Sequence, residues 1–364
     1  MKTLTQMTNR AEPDARTSAN LRRELKDELI AAGCFGPAPL RQITHMIIVL
    51  LVYGCAYAML LSAPDMLPRI ALLALLAFVS VQAGYIAHEA GHGAITRKRW
   101  LAVAIGQFYN TFLTALCYSH FQKIHVCHHT HCNDQDRDID MQSALFSLYP
   151  DARNRKRSPL GRFITRHQAW LIWPLVSLQG FSLKVDSLKT LYQNPRQTRG
   201  DQLVLALHLL LWFGLPVQLL GLGEAALNYL LLTWFIGPYL GSVFLVNHIG
   251  THVVDADDRL PGFIQRLITT RNLGGSRSAD VFFGGMNNHI EHHLFPSIPT
   301  AQLRRARPIV EGFCQRHGQR HGLIYRKTSW RHALREVFCY LQQIARQPPQ
   351  STAKITGSAG LRHE

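Results

Sequence analysis

Acidic side chains are scarce in this sequence: 23 Asp and Glu stand against 39 Lys and Arg, for a formal net charge of +16 over 364 residues. Paired cysteines are missing as well. The seven cysteines show no regular pairing beyond Cys127 and Cys132, which bracket histidines, so a disulfide framework is excluded and free thiols are expected. The seven methionines do not gather near the histidines, which argues against a membrane metal carrier or sensor built on thioethers and thiols. The polar stretch 1–29 has no apolar core, so no secretory leader is read there and the first long apolar run acts as its own insertion signal. Internal sequence repeats are absent, apart from a coarse two-fold pattern in hydropathy.

Apolar length is what the chain has in quantity. Hydrophobic residues make up 47% of it and are gathered into runs. MIIVLLVYGCAYAMLL (46–61), IALLALLAFVSVQAGYIA (70–87), LVLALHLLLWFGLPVQLLGLG (203–223) and AALNYLLLTWFIGPYLGSVFLV (225–246) are each close to the ~17–25 residues that cross a bilayer core as a helix. Two weaker stretches, 101–118 and 169–183, suit an interface better: the first holds Gln107, Asn110 and Thr111, the second Pro174. Four spans exclude a nucleic-acid partner for the positive charge, which the positive-inside rule explains instead. With the runs folded as two hairpins, the tips at 62–69 and around Gly223 and Glu224 carry one basic residue, Arg69, and the other 38 lie elsewhere. The N-terminus, the middle and the C-terminal third are therefore expected in the cytoplasm. The expectation is an all-α integral membrane protein, with spans at about 46–62, 69–87, 203–222 and 225–246 and interfacial helices at about 101–118 and 169–183. Residues 1–36 read as a flexible cytosolic N-terminus, 37–345 as the membrane domain and 346–364 as a disordered tail.

The 19 histidines cluster. HEAGHG supplies His88 and His92 where the second apolar run ends; HVCHHTHC supplies His125, His128 and His129; HIGTH supplies His248 and His252 where the fourth run ends; and HIEHH supplies His289, His292 and His293. Residues three and four apart share a helix face, so each group presents its rings together. If neither weak stretch crosses the bilayer, all four groups meet on one membrane face. Ten ring nitrogens are too many for one metal ion and suit two. Imidazole donors fit iron, zinc or copper, and spacing alone does not choose among them. Beside a bundle that can hold a long acyl chain, iron with dioxygen supplies an oxidant for unactivated C–H bonds, and zinc does not.

The three boxes HEAGH, HVCHH and HIEHH resemble those of the membrane fatty acid desaturase and hydroxylase superfamily, whose members carry a non-haem di-iron centre. GGMNNHIEHHLFPSIP is similar to the third-box context of acyl desaturases, HHTHCNDQDRDID to the Asp-rich stretch after the second box, and TTRNL (269–273) to the lead-in of the third. The resemblance runs over about 45–325 and is closest in feel to bacterial acyl desaturases. It implies that a cytosolic helical cap over the four spans holds two iron ions, with His88, His92, His125, His128, His129, His289, His292 and His293 as ligands and a further ligand at His248 or His252. It implies O2-dependent removal of hydrogen from neighbouring methylenes of a fatty acyl chain linked to lipid, CoA or acyl carrier protein, leaving a cis double bond. Capture of a hydroxyl after the first removal would make a hydroxylase instead, and oxygenases or ketolases of specialised substrates belong to the same superfamily. No His-Pro-Gly-Gly stretch of a fused cytochrome b5 occurs, so electrons are expected from a ferredoxin and its reductase, or a similar carrier, at a bacterial inner membrane.

Around the ligands, Asp134, Asp136, Asp138 and Asp140 alternate, and a carboxylate such as Asp138 can orient a ligand imidazole. Glu89 and Asn247 are further candidates beside the metals, Asn247 to hold a metal-bound water or to cap a helix. HEAGH is also a literal His-Glu-x-x-His, in which Glu89 would be the general base of an intramembrane zinc protease. That reading leaves most of the clustered histidines without a role, and the Asp-Gly ligand motif it needs in a later span is absent. His208 lies inside an apolar run, where a functional role and simple packing are both open, and 304–322 reads as a basic helix at an anionic lipid surface or against an acidic carrier.

Overall fold

The structure, a computed structural model, describes residues 14–346 except 64, 144, 151, 153–157, 256, 257 and 259. Of the tail expected to be disordered, 346–364, Arg346 closes a helix, while 347–364, like residues 1–13, lie outside the described residues.

Four helices are long and apolar enough to cross a membrane: α2 (Pro39–Leu61), α3 (Met66–Gly91), α8 (Arg199–Leu220) and α9 (Leu222–His248). At ~1.5 Å per residue, the 23 residues of α2 and the 27 of α9 reach across a ~30 Å hydrocarbon core. α3 outruns its apolar stretch by a turn and α9 by two residues, and those extensions carry His88 and His248. α3 is the enclosed member, with 61% of its apolar window buried; α8, with 17%, is the peripheral one. The two hairpins are tied at their tips, where Arg69 donates to Glu224 and to the carbonyl of Ala63.

Neither weak stretch forms a span. Residues 101–118 fall in α4 (Arg99–Gly106), a π-helical turn at Gln107–Phe112 and the start of α5 (Tyr118–Thr130). The chain reverses at Ala115, which sits at φ 59°. The polar residues of this stretch converge on the buried carboxylate of Asp201, which accepts from Gln107 (3.2 Å), Thr111 (2.8 Å), the Tyr118 N–H (2.8 Å) and Ser119 (2.6 Å). Residues 169–183 divide between α6 (Pro159–Leu175), a 3-10 turn at Val176–Leu178 and α7 (Gln179–Gln193). That turn lies directly on α9 at Gly237, where an added Cβ would stand 2.4 Å from the Val176 carbonyl oxygen. His208, inside α8, is buried between Phe112 O (2.6 Å) and the Tyr229 hydroxyl (3.1 Å), so it joins α8 to the π turn and α9.

The remaining helices form the cap: α1 (Ala15–Ala31), α10 (Gly262–Ile268), α11 (Arg277–Phe282), α12 (His289–Leu294), α13 (Thr300–His321) and α14 (Trp330–Arg346). The expectation of flexibility over 1–36 is corrected for Ala15–Ala31, where α1 is capped by Asp14 through Thr17 N–H (2.7 Å) and buries Leu21, Leu25 and Leu29. Its acidic residues face the basic helix: Arg316 bonds Glu28 (2.6 Å) and His317 bonds Glu24 (3.3 Å). A polar sequence with so few apolar residues hides this helix, because its stability comes from a partner 288 residues downstream at the Arg316–Glu28 pair rather than from its own propensity. A two-residue parallel ladder pairs β1 (Asn272–Leu273) with β2 (Lys327–Thr328) and ties the approach to the third box to the segment after α13.

Candidate metal centre

Four elements bring histidines together. α3 delivers His88, with His92 at its C-cap; α5 delivers His125, His128 and His129; α9 ends on His248; and the single-and-a-half turn of α12 delivers His289, His292 and His293. The rings sort into two groups. His88, His92, His125, His129 and His292 form one. His128, His248, His289 and His293 form the other, with Nε2–Nε2 separations of 3.2 Å for His128 to His248, 2.7 Å for His248 to His289 and 3.1 Å for His289 to His293.

In the first group His92, His125, His129 and His292 form a chain of Nε2 atoms, each step 3.0 Å. An imidazole nitrogen offers one proton or one lone pair. His125 Nε2 and His129 Nε2 each face two neighbours, so hydrogen bonds alone cannot satisfy the chain, and His248 and His289 repeat the problem in the second group. His88 Nε2, buried in the first group, has no hydrogen-bond partner at all. Lone pairs converging on a cation remove the conflict: ligands at ~2.1 Å from one ion stand about 3.0–3.4 Å apart. The donor set therefore fits two metal ions.

Electrostatics keep these rings in the ligating form. Burial, with the neighbouring imidazoles, holds His125, His129, His292 and His293 well below the ordinary histidine range. Burial takes His92 down to about 4 and His289 to about 3. His128 is the exception. Burial lowers it too, but the hydrogen bond and charge of Asp138 outweigh that and raise it. Asp138 is fully buried and accepts from His128 Nδ1 (2.8 Å) and Asn133 N–H (2.9 Å). Of the alternating acidic residues it is the one against a ring; Asp134 instead pairs with Arg137.

The structure separates the other candidates. His248 enters the cluster, while His252 stands apart, its Nε2 3.1 Å from Asp258. Asn247 donates to Val243 O (3.0 Å) and Met286 O (3.3 Å), clamping the end of α9 to the third-box loop, and its Oδ1 is buried without a partner. Glu89 points away from the rings: its carboxylate accepts from Gln42 (2.8 Å) and from Thr300 N–H (2.9 Å), joining α2, α3 and α13.

Several supporting residues carry no mark in the histidine pattern. Glu291 is wholly buried and accepts from Tyr325 (2.7 Å) and Asn272 (2.7 Å), while Asn272 Oδ1 receives Ile290 N–H (2.8 Å). That triangle fixes α12. Cys132 Sγ comes within 3.5 Å of His248 Nδ1, the nitrogen away from His128 and His289. Burial pushes its thiol up, so it backs the ring as a neutral group, beside the Thr269 carbonyl that also meets Nδ1 (3.2 Å). Cys132 was visible as a cysteine among histidines; the Glu291 triangle could have been sought in the polar residues of TTRNL.

Among characterised proteins the chain is similar to a Delta(8)-fatty-acid desaturase of Arabidopsis thaliana, 25% identical over 70% of this chain and 59% of the relative. It is similar to an acyl-lipid (9-3)-desaturase of Borago officinalis, 25% identical over 67% of this chain and 57% of the relative. A Delta(6)-fatty-acid desaturase of Caenorhabditis elegans is 26% identical over 66% of this chain and 58% of the relative. The chain thus aligns with somewhat more than half the length of each. The fatty acid desaturase family itself matches residues 64–325, a stretch that begins between the first two spans, ends past the third box and includes all nine gathered histidines, and the chain belongs to that family.

Proposed function

We propose that the two histidine groups hold a pair of iron ions and that the protein is an O2-dependent desaturase placing a double bond in a fatty acyl chain. The observation that carries this is the division of nine imidazoles, eight of them buried and His92 partly so, into two adjoining groups whose nitrogens cannot satisfy one another. When bound, an iron pair supplies the activation of dioxygen that hydrogen removal from an unactivated methylene requires. The protein's own residues do the rest. His88, His92, His125, His129 and His292 form one binding group; His128, His248, His289 and His293 form the other. Burial excludes water and favours the neutral form, the one that binds metal, in the rings other than His128. Asp138 fixes the tautomer of His128 by accepting from Nδ1, which leaves Nε2 free to face the cluster.

The spans place this centre at the end of an apolar bundle, where an acyl chain from the bilayer can reach it. The relatives named as acyl-lipid, Delta(8)- and Delta(6)-fatty-acid desaturases support that substrate class; whether the head group is a lipid, CoA or acyl carrier protein follows from products. The basic charge distribution puts both termini and the metal face on the cytoplasmic side, where a ferredoxin-like carrier would deliver electrons. The three relatives are plant and animal proteins, so a bacterial inner membrane rests on composition alone. Glu89, turned toward Gln42 and Thr300, supplies no general base for a zinc protease.

The test is metal content and product measured together on protein expressed in a bacterial host. About two irons per chain with a new unsaturated acyl species in the host lipids is the expected result. Two irons with a hydroxylated or ketone product moves the reaction within the superfamily. One zinc without iron refutes the proposal.

A further inference from the structure

The end of α9 is gripped by a segment that contributes no ligand. A helix leaves its last carbonyls without intrahelical donors, and here those of Asn247 and His248, with that of Ile249 just beyond, find donors elsewhere. Arg271 N–H donates to Asn247 O (3.1 Å), Thr251 Oγ1 to His248 O (2.6 Å), and the Arg271 guanidinium to Ile249 O. Thr269, two residues before Arg271, places its carbonyl against His248 Nδ1 (3.2 Å). The short 269–271 segment thus holds His248 by its ring and by the carbonyls on either side. Gly250, at φ 82°, lets the chain pass over the guanidinium: a Cβ there would stand 3.3 Å from Arg271 Nη2.

The Arg271 side chain is fully buried, and the carboxylate that meets it is Glu336 of α14. Glu336 also touches Arg326 (3.5 Å) and His332 (3.3 Å). A buried guanidinium stripped of its carboxylate is costly, because its charge has left water without compensation. α14 begins after the family match ends at residue 325.

We propose that Glu336 is a positioning residue for the second histidine group: through Arg271 it fixes the end of α9 and so holds the His248 ring toward His128 and His289. It touches neither metal nor substrate. This deepens the di-iron proposal and rests on it for the metal readout, while the thiol readout below stands without metal. The selectivity follows from the contacts. His88, His92, His125, His129 and His292 ride on α3, α5 and α12, none of which Arg271 or Glu336 bonds.

The experiment uses the full chain in detergent as wild type, E336Q and E336D. Iron release to a chelator should become biphasic in E336Q, with one of two irons leaving about tenfold faster or more, and E336D should restore near wild-type release. In the metal-free proteins, maleimide labelling is located by mass spectrometry. Cys132, buried 3.5 Å from His248, should label about tenfold faster in E336Q, while Cys314, buried on α13, should not change. Unchanged labelling of Cys132 overturns the proposal. So does a parallel rise at Cys132 and Cys314, which would mean general loosening. A wild type that holds no iron refutes the di-iron reading, and the Cys132 comparison still decides the role of Glu336.

Discussion

Asp138→Asn removes one negative charge at nearly constant shape. Two donors, His128 Nδ1 (2.8 Å) and Asn133 N–H (2.9 Å), converge on Oδ2, and Met141 N–H approaches Oδ1 at 3.4 Å. An asparagine can turn its carbonyl to the first two, so the His128 tautomer survives. The amide NH2 then meets the Met141 N–H, donor against donor. What is lost is the charge that raises His128 against its burial. A ligand whose supporting carboxylate is lost typically binds metal 10–100-fold more weakly, or about 1.4–2.7 kcal/mol. The loss should fall on the ion held by His128, His248, His289 and His293. Chelator-competition titration of the metal-free protein reads both affinities: the weaker-bound ion should shift by that factor while the other moves by less than about threefold. Equal losses at both ions, or none at either, would refute the assignment of Asp138 to one group.

Acid should destabilise the metal-free protein. The depressed histidines, among them His92 at about 4 and His289 at about 3, take up protons only when unfolded once the pH drops below the ordinary value of 6.5. Their stability is complete above that value and is lost as pH falls toward the folded values, by up to roughly tenfold in the folding ratio per unit per group; His128, being raised, runs the other way and loses its contribution as pH rises. Thermal melts should be level from pH 8 to about 6.5 and fall from there to pH 5, and a profile flat down to pH 5 would contradict the neutral cluster. Gly237→Ala should cripple accumulation of folded protein, because the new Cβ meets the Val176 and Ser177 carbonyl oxygens at 2.4 and 2.5 Å and backbone cannot step aside; normal expression and melting would show that the 3-10 turn does not rest on α9. His252→Ala should keep the full metal complement and His248→Ala should lose about one ion, as measured by elemental analysis of purified protein; the reverse result would move the ninth ligand to His252.

Hydropathy alone found the four long apolar helices, the first of which begins at Pro39 rather than at about 46, and the boxes named eight of the nine gathered histidines, because both signals are local. An apolar run needs no partner to be recognised, and ligands on one helix repeat at three and four. The choice between His248 and His252 was not local. They stand four residues apart just past the fourth apolar run, and what separates them is where α9 ends. Its last turn stops at His248, and beyond it Gly250 at φ 82° turns the chain away, leaving His252 to Asp258. The signals for that stop, Thr251, Thr269 and Arg271, are ordinary polar residues whose meaning depends on being folded against one another.

The same reasoning explains why the polar support of the centre was hidden while its ligands were plain. The gathered donors are mostly imidazoles, and an imidazole shows in its letter. A supporting group needs only one donor or acceptor at the right place, and many residue types supply that. Glu89, next to His88 and three residues before His92, looked like part of the metal centre and instead bonds Gln42 and Thr300. Glu291 has the same setting inside its own box and does brace the centre, through Asn272 and Tyr325. The difference lies in the helix each occupies. α3 is long and packed on several sides, so Glu89 can turn to α2 and still be buried. α12 has six residues and no neighbouring turn to lean on, so three ligands crowded onto it stay in register only if a buried carboxylate on the same short helix is anchored from outside.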